Sequence, residues 1–322
     1  MIPMVLLLIV GVVVLYFGAD WMVRGAAALG QSLGLSPMVI GLTVVSLGTS
    51  APELFVSILA TLRGSSDIAV GNILGSNLAN IGLILGATAV IRPLFVAQRV
   101  VRREMPIMIL VTLLLAPLLM DTQVGRLDGG FLVLLLVVYL TFVFYRGKKA
   151  PVALVSEYPK IAKATGEVED SRLWKALGLL VVGALGLVLG GRAIVESAIF
   201  LSQSFGISEM GVGLTVVAVG TSLPELATSI MAAIRKETDI AVGNVIGSNI
   251  FNIAGVLGLT SIIKPVAVDP GVLWLEYPAV LALSFIALLV SIYPVHEGNF
   301  NIRRWEGAVL LASYIGLGAW IL

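Results

Sequence analysis

Residues 41–63 read GLTVVSLGTSAPELFVSILATLR, and residues 213–235 read GLTVVAVGTSLPELATSIMAAIR. The likeness continues through DIAVGNILGSNLANIGLILG and DIAVGNVIGSNIFNIAGVLG, and closes at Arg92-Pro93 and Lys264-Pro265. Aligned without a gap at an offset of 172, blocks 41–93 and 213–265 match at 31 of 53 positions. Each copy sets a glutamate, Glu53 or Glu225, directly after a proline in an otherwise apolar segment. An acid at a break in a hydrophobic helix, made twice, constrains both fold and function.

Around these blocks the chain is 58% hydrophobic and only 12% charged, with a mean hydropathy of +1.05. Soluble proteins carry about 25% charged residues, so the composition points to an all-α membrane protein whose main partner is the lipid bilayer. Nothing in it points to nucleic acid, a cofactor or an obligate protein partner. With no cysteine, disulfides, thiolate metal sites and thiol nucleophiles are excluded. The single His296 falls in a hydrophilic connection, which disfavours chemistry that needs a buried imidazole. The N-terminal run MIPMVLLLIVGVVVLYFGAD lacks the basic start and cleavage site of a secretion signal. Its continuation aligns with the second half of the chain, so it reads as a retained first span.

A spanning helix takes about 20 mostly apolar residues. By that measure ten spans are expected, near 4–30, 37–62, 67–91, 104–120, 127–145, 173–203, 209–234, 239–263, 272–293 and 305–322. The charged stretch 146–172 separates them into an N-terminal half, 1–145, and a C-terminal half, 173–322, with five spans each. An odd number of spans makes the second half enter from the opposite face. The fold expected is therefore ten transmembrane helices as two inverted five-helix repeats, an architecture recurrent among secondary transporters. Connections 3–4, 5–6, 7–8 and 9–10 hold 4, 7 (with Lys175 at the start of span six), 2 and 2 Lys/Arg, whereas the opposite connections hold only Arg63, Arg126 and Lys264. The positive-inside rule then puts both termini outside and the 146–172 linker in the cytoplasm. In span one Asp20 and Arg24 are four apart, and their counterparts Arg192 and Glu196 reverse the sign order. That spacing predicts ion pairs along each helix rather than membership of a site.

A carboxylate at the bilayer centre costs about 2.5–3.5 kcal/mol on insertion scales, so it faces a partner or a cavity. Neither Glu53 nor Glu225 has a basic residue three or four positions away. Inverted repeats bring such acids together near the axis, and two carboxylates sharing a site favour a divalent cation between them. Pro52 and Pro224 break the helix and leave carbonyls free, expected around Ser46 to Gly48 and Ala218 to Gly220. Thr49, Ser50, Thr221 and Ser222 put hydroxyls at the break. One helix further on, Ser76 and Asn80, and likewise Ser248 and Asn252, lie four apart on one face. Together these supply the carboxylate, carbonyl, hydroxyl and amide oxygens that a hard cation takes. Asn72, Asn77, Asn244 and Asn249 are expected to bond between helices instead. The glycines at 71, 75, 82 and 86 are expected to permit close helix packing.

GTSxPE followed by GNxxGSNxxN, present twice in halves of opposite entry, resembles the α-repeats of the cation/Ca²⁺ exchanger superfamily, and within it the prokaryotic sodium/calcium exchangers. The resemblance covers both repeats and, through the ten-span layout, essentially the whole chain. It implies a multi-pass transporter of a prokaryotic inner membrane, not an enzyme, which exchanges Na⁺ for Ca²⁺ by alternating access. Carried onto this chain, it makes Glu53 and Glu225 the bridging carboxylates. Thr49, Ser50, Thr221, Ser222, Ser76 and Ser248 become hydroxyl ligands, Ser46 and Ala218 carbonyl ligands, and Asn80 and Asn252 complete the ring. Some members carry an aspartate at one of the last two positions; this chain has asparagine at both, which leaves two formal negative charges. Proton-coupled Ca²⁺ exchange on the same scaffold is the nearest rival, although the GNxxE signature of such exchangers is absent. A passive cation channel is a further alternative. An intramembrane hydrolase is disfavoured, because GTSxPE is not GxSxG and the spans hold no histidine.

Overall fold

The computed structural model describes residues 2–147, 169–204, 218–292, 294–296 and 299–321. The expected linker 146–172 lies almost wholly outside them, as do residues 209–217 of the seventh expected span. Within the described residues the chain is mostly helical. The helices are α1 (Ile2–Leu33), α2 (Pro37–Thr49), α3 (Ala51–Leu62), α4 (Ser66–Ile91), α5 (Met105–Leu119) and α6 (Arg126–Gly147), followed by α7 (Glu169–Ser204), α8 (Ala218–Thr221), α9 (Leu223–Ile234), α10 (Thr238–Ile263), α11 (Glu276–Ser291) and α12 (Arg304–Ile321). Five of these, and α11 together with the turn before it (Pro270–Ser291), are long and apolar enough to cross a membrane, which makes six, and seven if α2 and α3, bent by 42°, count as one broken span. The chain is an integral, multi-pass membrane protein.

The ends of these helices follow from local chemistry. Gly34, at φ +62°, ends α1, and the Leu35 amide donates back to the Gly30 carbonyl at 2.8 Å, the bond that closes a helix through a left-handed residue. Ser36 then caps α2 by accepting from the Val39 amide, with Pro37 as its first residue. The same closure ends α3 at Gly64 and α9 at Lys236, both with positive φ, where Ser65 and Glu237 bond back to Ala60 and Ala232. The repeat is thus visible in backbone conformation as well as in sequence.

Helices α1 and α7, equivalent by the 172-residue offset, pack along their length through glycines. Gly11 faces Gly190 and Ala193, Gly18 faces Gly183, Gly186 and Leu187, and Gly25 faces Ala176 and Leu180. As the number rises on one helix it falls on the other, so the two run antiparallel. Gly41 of α2 likewise lies against Ile240 and Gly243 of α10, and Gly247 lies against the Leu42 carbonyl and the Ser46 hydroxyl. Close approach at Gly82, against Tyr314 and Leu283, and at Gly86, against Gly307, agrees with the packing expected there. Gly71 and Gly75 differ: a methyl group at either would meet nothing within 4 Å among the described residues.

Two small sheets gather the connections by end. Strand β1 (Leu94–Val96), after α4, pairs with β5 (Asn299–Ile302), before α12, and β4 (Pro294–His296) pairs with β5. Strands β2 (Gln123–Val124) and β3 (Val266–Ala267), after α5 and α10, pair with each other. The Arg92 guanidinium donates to the Ile234 carbonyl at 3.0 Å, which adds the end of α9 to the first group. Three connections rich in Lys/Arg, 3–4, 7–8 and 9–10, therefore share one end of the molecule. Asp20 pairs with Arg24 at 3.2 Å and Arg192 with Glu196 at 2.7 Å, along their helices as expected. Asp20 in addition meets Arg235 at the end of α9, an ion pair between helices that spacing along α1 does not announce.

The α1–α7 contact leaves no room for a side chain. A Cβ at Gly18 would lie 2.7 Å from the Leu187 amide nitrogen, whereas one at Gly178 on α7 would meet nothing within 4 Å. Overpacking costs about 1–3 kcal/mol. Gly18→Leu is expected to lower the melting temperature of the detergent-solubilised protein, followed by size-exclusion fluorescence, while Gly178→Leu leaves it unchanged.

Candidate cation site

The helix break takes the same form in both halves. Ser50 (φ −85°, ψ 5°) and Ser222 (φ −87°, ψ 3°) leave the helical region, and Pro52 and Pro224 fall in the first two positions of the helices that restart after them. A proline there gives up an amide proton that has no partner in the first turn. Glu53 and Glu225 therefore sit in the first turns of α3 and α9, where the aligned peptide dipoles favour negative charge. One expectation needs correcting. The Ser46 carbonyl is not released by the break: it accepts the Ser50 amide at 2.9 Å and lies 3.4 Å from the Thr49 hydroxyl, so only a second lone pair can serve another partner. Proline can free only the Gly48 carbonyl, because the amide it lacks is the one four residues on.

Both acids are fully buried, at 0% and 1% exposure, and each faces oxygens from the opposite half. Ser50 Oγ donates to Glu225 Oε1 at 3.0 Å, and the Thr49 side chain lies beside the same carboxylate. Glu53 faces Thr221 of the other half and Ser76 of its own, and Ser222 Oγ reaches Ser76 Oγ at 3.5 Å. The charge of Glu225 reaches Glu53. In α4 and α10 the helix widens to π-type turns over Asn80–Leu85 and Phe251–Leu257, so Asn80 and Asn252 both belong to the widened turns. Such turns are frequent at functional sites, and no residue pattern in the sequence announces them.

Among the described residues, both oxygens of Glu53, Oε2 of Glu225, both amide atoms of Asn80, Oγ of Ser248 and Oδ1 of Asn252 are buried without a hydrogen-bond partner. Native proteins leave few buried polar atoms in that condition, and an unpaired buried carboxylate is among the costliest. Ala218 lies in α8 ahead of the second break, at the position equivalent to Ser46. The structure thus brings Glu53, Glu225, Thr49, Ser50, Thr221, Ser222 and Ser76 into one buried cluster. Asn80, Ser248 and Asn252 hold unpaired polar groups on the two helices that carry the second motif. The described residues contain no group of three or more His, Cys, Asp or Glu side chains able to hold a metal, so the charge here comes from two carboxylates. Carboxylate, hydroxyl and amide oxygens without sulfur or imidazole suit hard cations.

Four polar residues outside the expected ligand set frame this cluster. Asn72 Nδ2 donates to the Glu53 carbonyl at 3.2 Å and to Ser57 Oγ at 3.0 Å, while Asn72 Oδ1 accepts from Thr221 at 3.4 Å. Asn244 repeats this with the Glu225 carbonyl at 3.5 Å, Ser229 Oγ at 3.1 Å and Thr49 at 3.1 Å. The signal available in sequence was the serine four residues after each acid, conserved across the internal repeat. Asn77 donates to the Asn249 carbonyl at 3.3 Å and accepts from Asn252 at 3.1 Å, joining α4 to α10. Asn249 departs from the expected bonding between helices, since its own amide turns back to the Val245 carbonyl at 2.7 Å.

Comparison with known proteins agrees with this arrangement. The family model described as sodium/calcium exchanger protein matches residues 3–145 and 175–322. A putative antiporter, CaxA of Alkalimonas amylolytica, is 40% identical over 310 residues, covering 96% of this chain and 95% of its own. The sodium/calcium exchanger MaX1 of Methanosarcina acetivorans is 35% identical, covering 96% of each chain. The Ca²⁺/H⁺ antiporter ChaA of Bacillus subtilis is 25% identical over 92% of this chain and 86% of its own. A solved structure of the sodium-calcium exchanger NCX_Mj, soaked with zero Na⁺ and Ca²⁺, superimposes with a TM-score of 0.84 at 30% identity, covering 100% of this chain and 99% of that one. One acid made twice, each at a helix break and each met by a hydroxyl of the opposite half, thus belongs to a known design: this chain is a member of the sodium/calcium exchanger family of the cation/Ca²⁺ exchangers, a transporter rather than an enzyme.

Proposed function

We propose that this protein is a secondary active antiporter that exchanges Na⁺ for Ca²⁺ by alternating access. The observation that carries this is the pair of buried carboxylates, Glu53 and Glu225, with three of their four oxygens unpartnered among hydroxyls and amides. Glu53 and Glu225 bridge the divalent ion. Thr49, Ser50, Thr221, Ser222, Ser76, Ser248, Asn80 and Asn252 supply further oxygens, with the Ser46 and Ala218 carbonyls. Two carboxylates balance one Ca²⁺ or two Na⁺. A third Na⁺ leaves the loaded protein with a net positive charge, so the stoichiometry appears as charge movement.

The scaffold proposed for this exchange is ten transmembrane helices in two inverted repeats, 1–145 and 173–322, with α-repeats at 41–93 and 213–265 and a cytoplasmic linker at 146–172. The antiparallel packing of α1 on α7 supports inversion, since equivalent helices of parallel repeats run the same way. Grouping of the basic connections at one end supports a single membrane orientation with both termini outside, and a prokaryotic inner membrane is the expected location. Helices α1 and α7 lie across the site-bearing helices and slide to open each side in turn.

Proton coupling is the competing reading, and the relative named as a Ca²⁺/H⁺ antiporter favours it. Against it, Asn72 and Asn244 are followed by Ile-Leu-Gly and Val-Ile-Gly rather than by GNxxE. Proteoliposomes separate the two. An outward Na⁺ gradient at constant pH is expected to drive ⁴⁵Ca²⁺ uptake, and a pH gradient without Na⁺ is not; the reverse result assigns the coupling to protons. Glu53→Gln and Glu225→Gln are each expected to reduce exchange by at least about 100-fold, since breaking a buried charge site costs about 3–5 kcal/mol. Channel-like Ca²⁺ flux that persists without counter-ion would contradict antiport. Protons and Ca²⁺ compete for the same carboxylates, so acidification is expected to reduce uptake at limiting Ca²⁺ and not at saturating Ca²⁺.

A further inference from the structure

The most detailed polar geometry in the molecule lies just behind the proposed ligands, where Asn72 and Asn244 each join the two halves. Taking Asn244 first, its Nδ2 donates to the Glu225 backbone carbonyl at 3.5 Å and to Ser229 Oγ at 3.1 Å. A backbone carbonyl only accepts, so the amide cannot turn end for end without facing oxygen to oxygen. Its Oδ1 is thereby committed to the opposite half, where Thr49 Oγ1 donates to it at 3.1 Å. Thr49 has one hydroxyl proton, and the Ser46 carbonyl at 3.4 Å is a second acceptor for it. Yet the same hydroxyl lies beside the Glu225 carboxylate. That carboxylate and the Asn244 oxygen are therefore rival acceptors for one proton, and when Asn244 takes it Thr49 meets the carboxylate with lone pairs.

The contrast with Ser50 is informative. Ser50 Oγ donates to Glu225 Oε1 at 3.0 Å, whereas Glu225 Oε2 has no partner. If Thr49 were free to donate as well, two hydroxyl protons could satisfy the acid in place of a cation. The arrangement recurs around Asn72, whose Nδ2 is anchored by the Glu53 carbonyl and Ser57 and whose Oδ1 accepts from Thr221 beside Glu53. Ser57, Ser229 and Asn244 are all fully buried, in keeping with a role inside the protein rather than at its surface.

We infer that Asn72 and Asn244, anchored by Ser57 and Ser229, are positioning residues that set the polarity of Thr221 and Thr49. They take up the threonine protons so that both hydroxyls meet the site as oxygen ligands and do not neutralise the acids. This rests on the proposed cation site and adds to it a reason why the acids stay receptive to metal. Each asparagine also spans the two halves, so it ties the hydroxyl of one repeat to the acid-bearing turn of the other.

A double-mutant cycle tests the inference, read as ⁴⁵Ca²⁺ binding to the purified full chain and as half-saturating Ca²⁺ and maximal rate in proteoliposomes. Asn244→Ala is expected to raise half-saturating Ca²⁺ about tenfold with the maximal rate within about twofold, the scale of one oriented hydrogen bond to a charged site. Thr49→Val, which removes the hydroxyl and keeps the shape, is expected to do the same. The double variant should then be no worse than Thr49→Val alone, because residues acting through one another are not additive. Ser229→Ala, which removes one of two anchors, is expected to give a smaller shift in the same direction, again absent on the Thr49→Val background. It keeps the test available if Asn244→Ala does not fold. Multiplied effects in the double variant, or a loss of maximal rate at unchanged half-saturation, would overturn the inference and leave the cation site standing. Absence of saturable Ca²⁺ binding by the unaltered protein would overturn the cation site itself.

Discussion

Two carboxylates buried in one polar cluster of a membrane protein are the constraint from which the rest of this structure follows. Removing one such ion from water costs several kcal/mol even after relaxation, and a second of like charge adds repulsion. The fold meets this partly with what a helix has to offer. Each acid falls in the first turn of a restarted helix, α3 or α9, so unpaired amides and the local dipole favour its charge. Ser50 adds a hydroxyl proton to Glu225. Three carboxylate oxygens are still left over, and a bound cation is the physical complement of that remainder.

Breaking a spanning helix to place an acid has its own consequences. Irregular backbone at membrane depth is tolerated only where protein or a cavity surrounds it. Here α10 covers α2 through Gly41, Gly243 and Gly247, and α1 covers Gly48 with Met22 while α7 covers Gly220 with Val195. Helices α1 and α7 in turn pack on one another through glycines facing backbone. The broken helices are therefore enclosed by two kinds of neighbour. Helices α4 and α10 carry polar side chains toward the break, whereas α1 and α7 present apolar side chains to its glycines. A transporter needs both, one to hold ions and one to move past them.

Much of this is legible in the sequence itself. Glu53 and Glu225 after proline, Ser76 with Asn80 and Ser248 with Asn252 at a helical spacing of four, and the offset of 172 point to one buried site built from two copies. What stayed hidden depends on partners far apart in the chain. Asp20 looks complete with Arg24 until Arg235 arrives from α9. Ser57 and Ser229 look like ordinary small residues of apolar helices until Asn72 and Asn244 bond to them. The Ser46 carbonyl looked free because a kink at Pro52 was expected to open the whole turn, but the Ser50 amide still closes it. The π-type turns over Asn80–Leu85 and Phe251–Leu257 have no pattern of their own, since extra residues within a turn leave hydrophobic composition unchanged.

The central claim is that Glu53 and Glu225 share one divalent cation. Diffraction from crystals of this protein soaked in Sr²⁺, recorded for anomalous scattering, tests it most directly. The account predicts a peak between the two carboxylates, within about 2.3–2.8 Å of an oxygen from each, a range set by Ca²⁺ coordination and a slightly larger ion. A peak on one acid only, or at a site that includes neither, would contradict it.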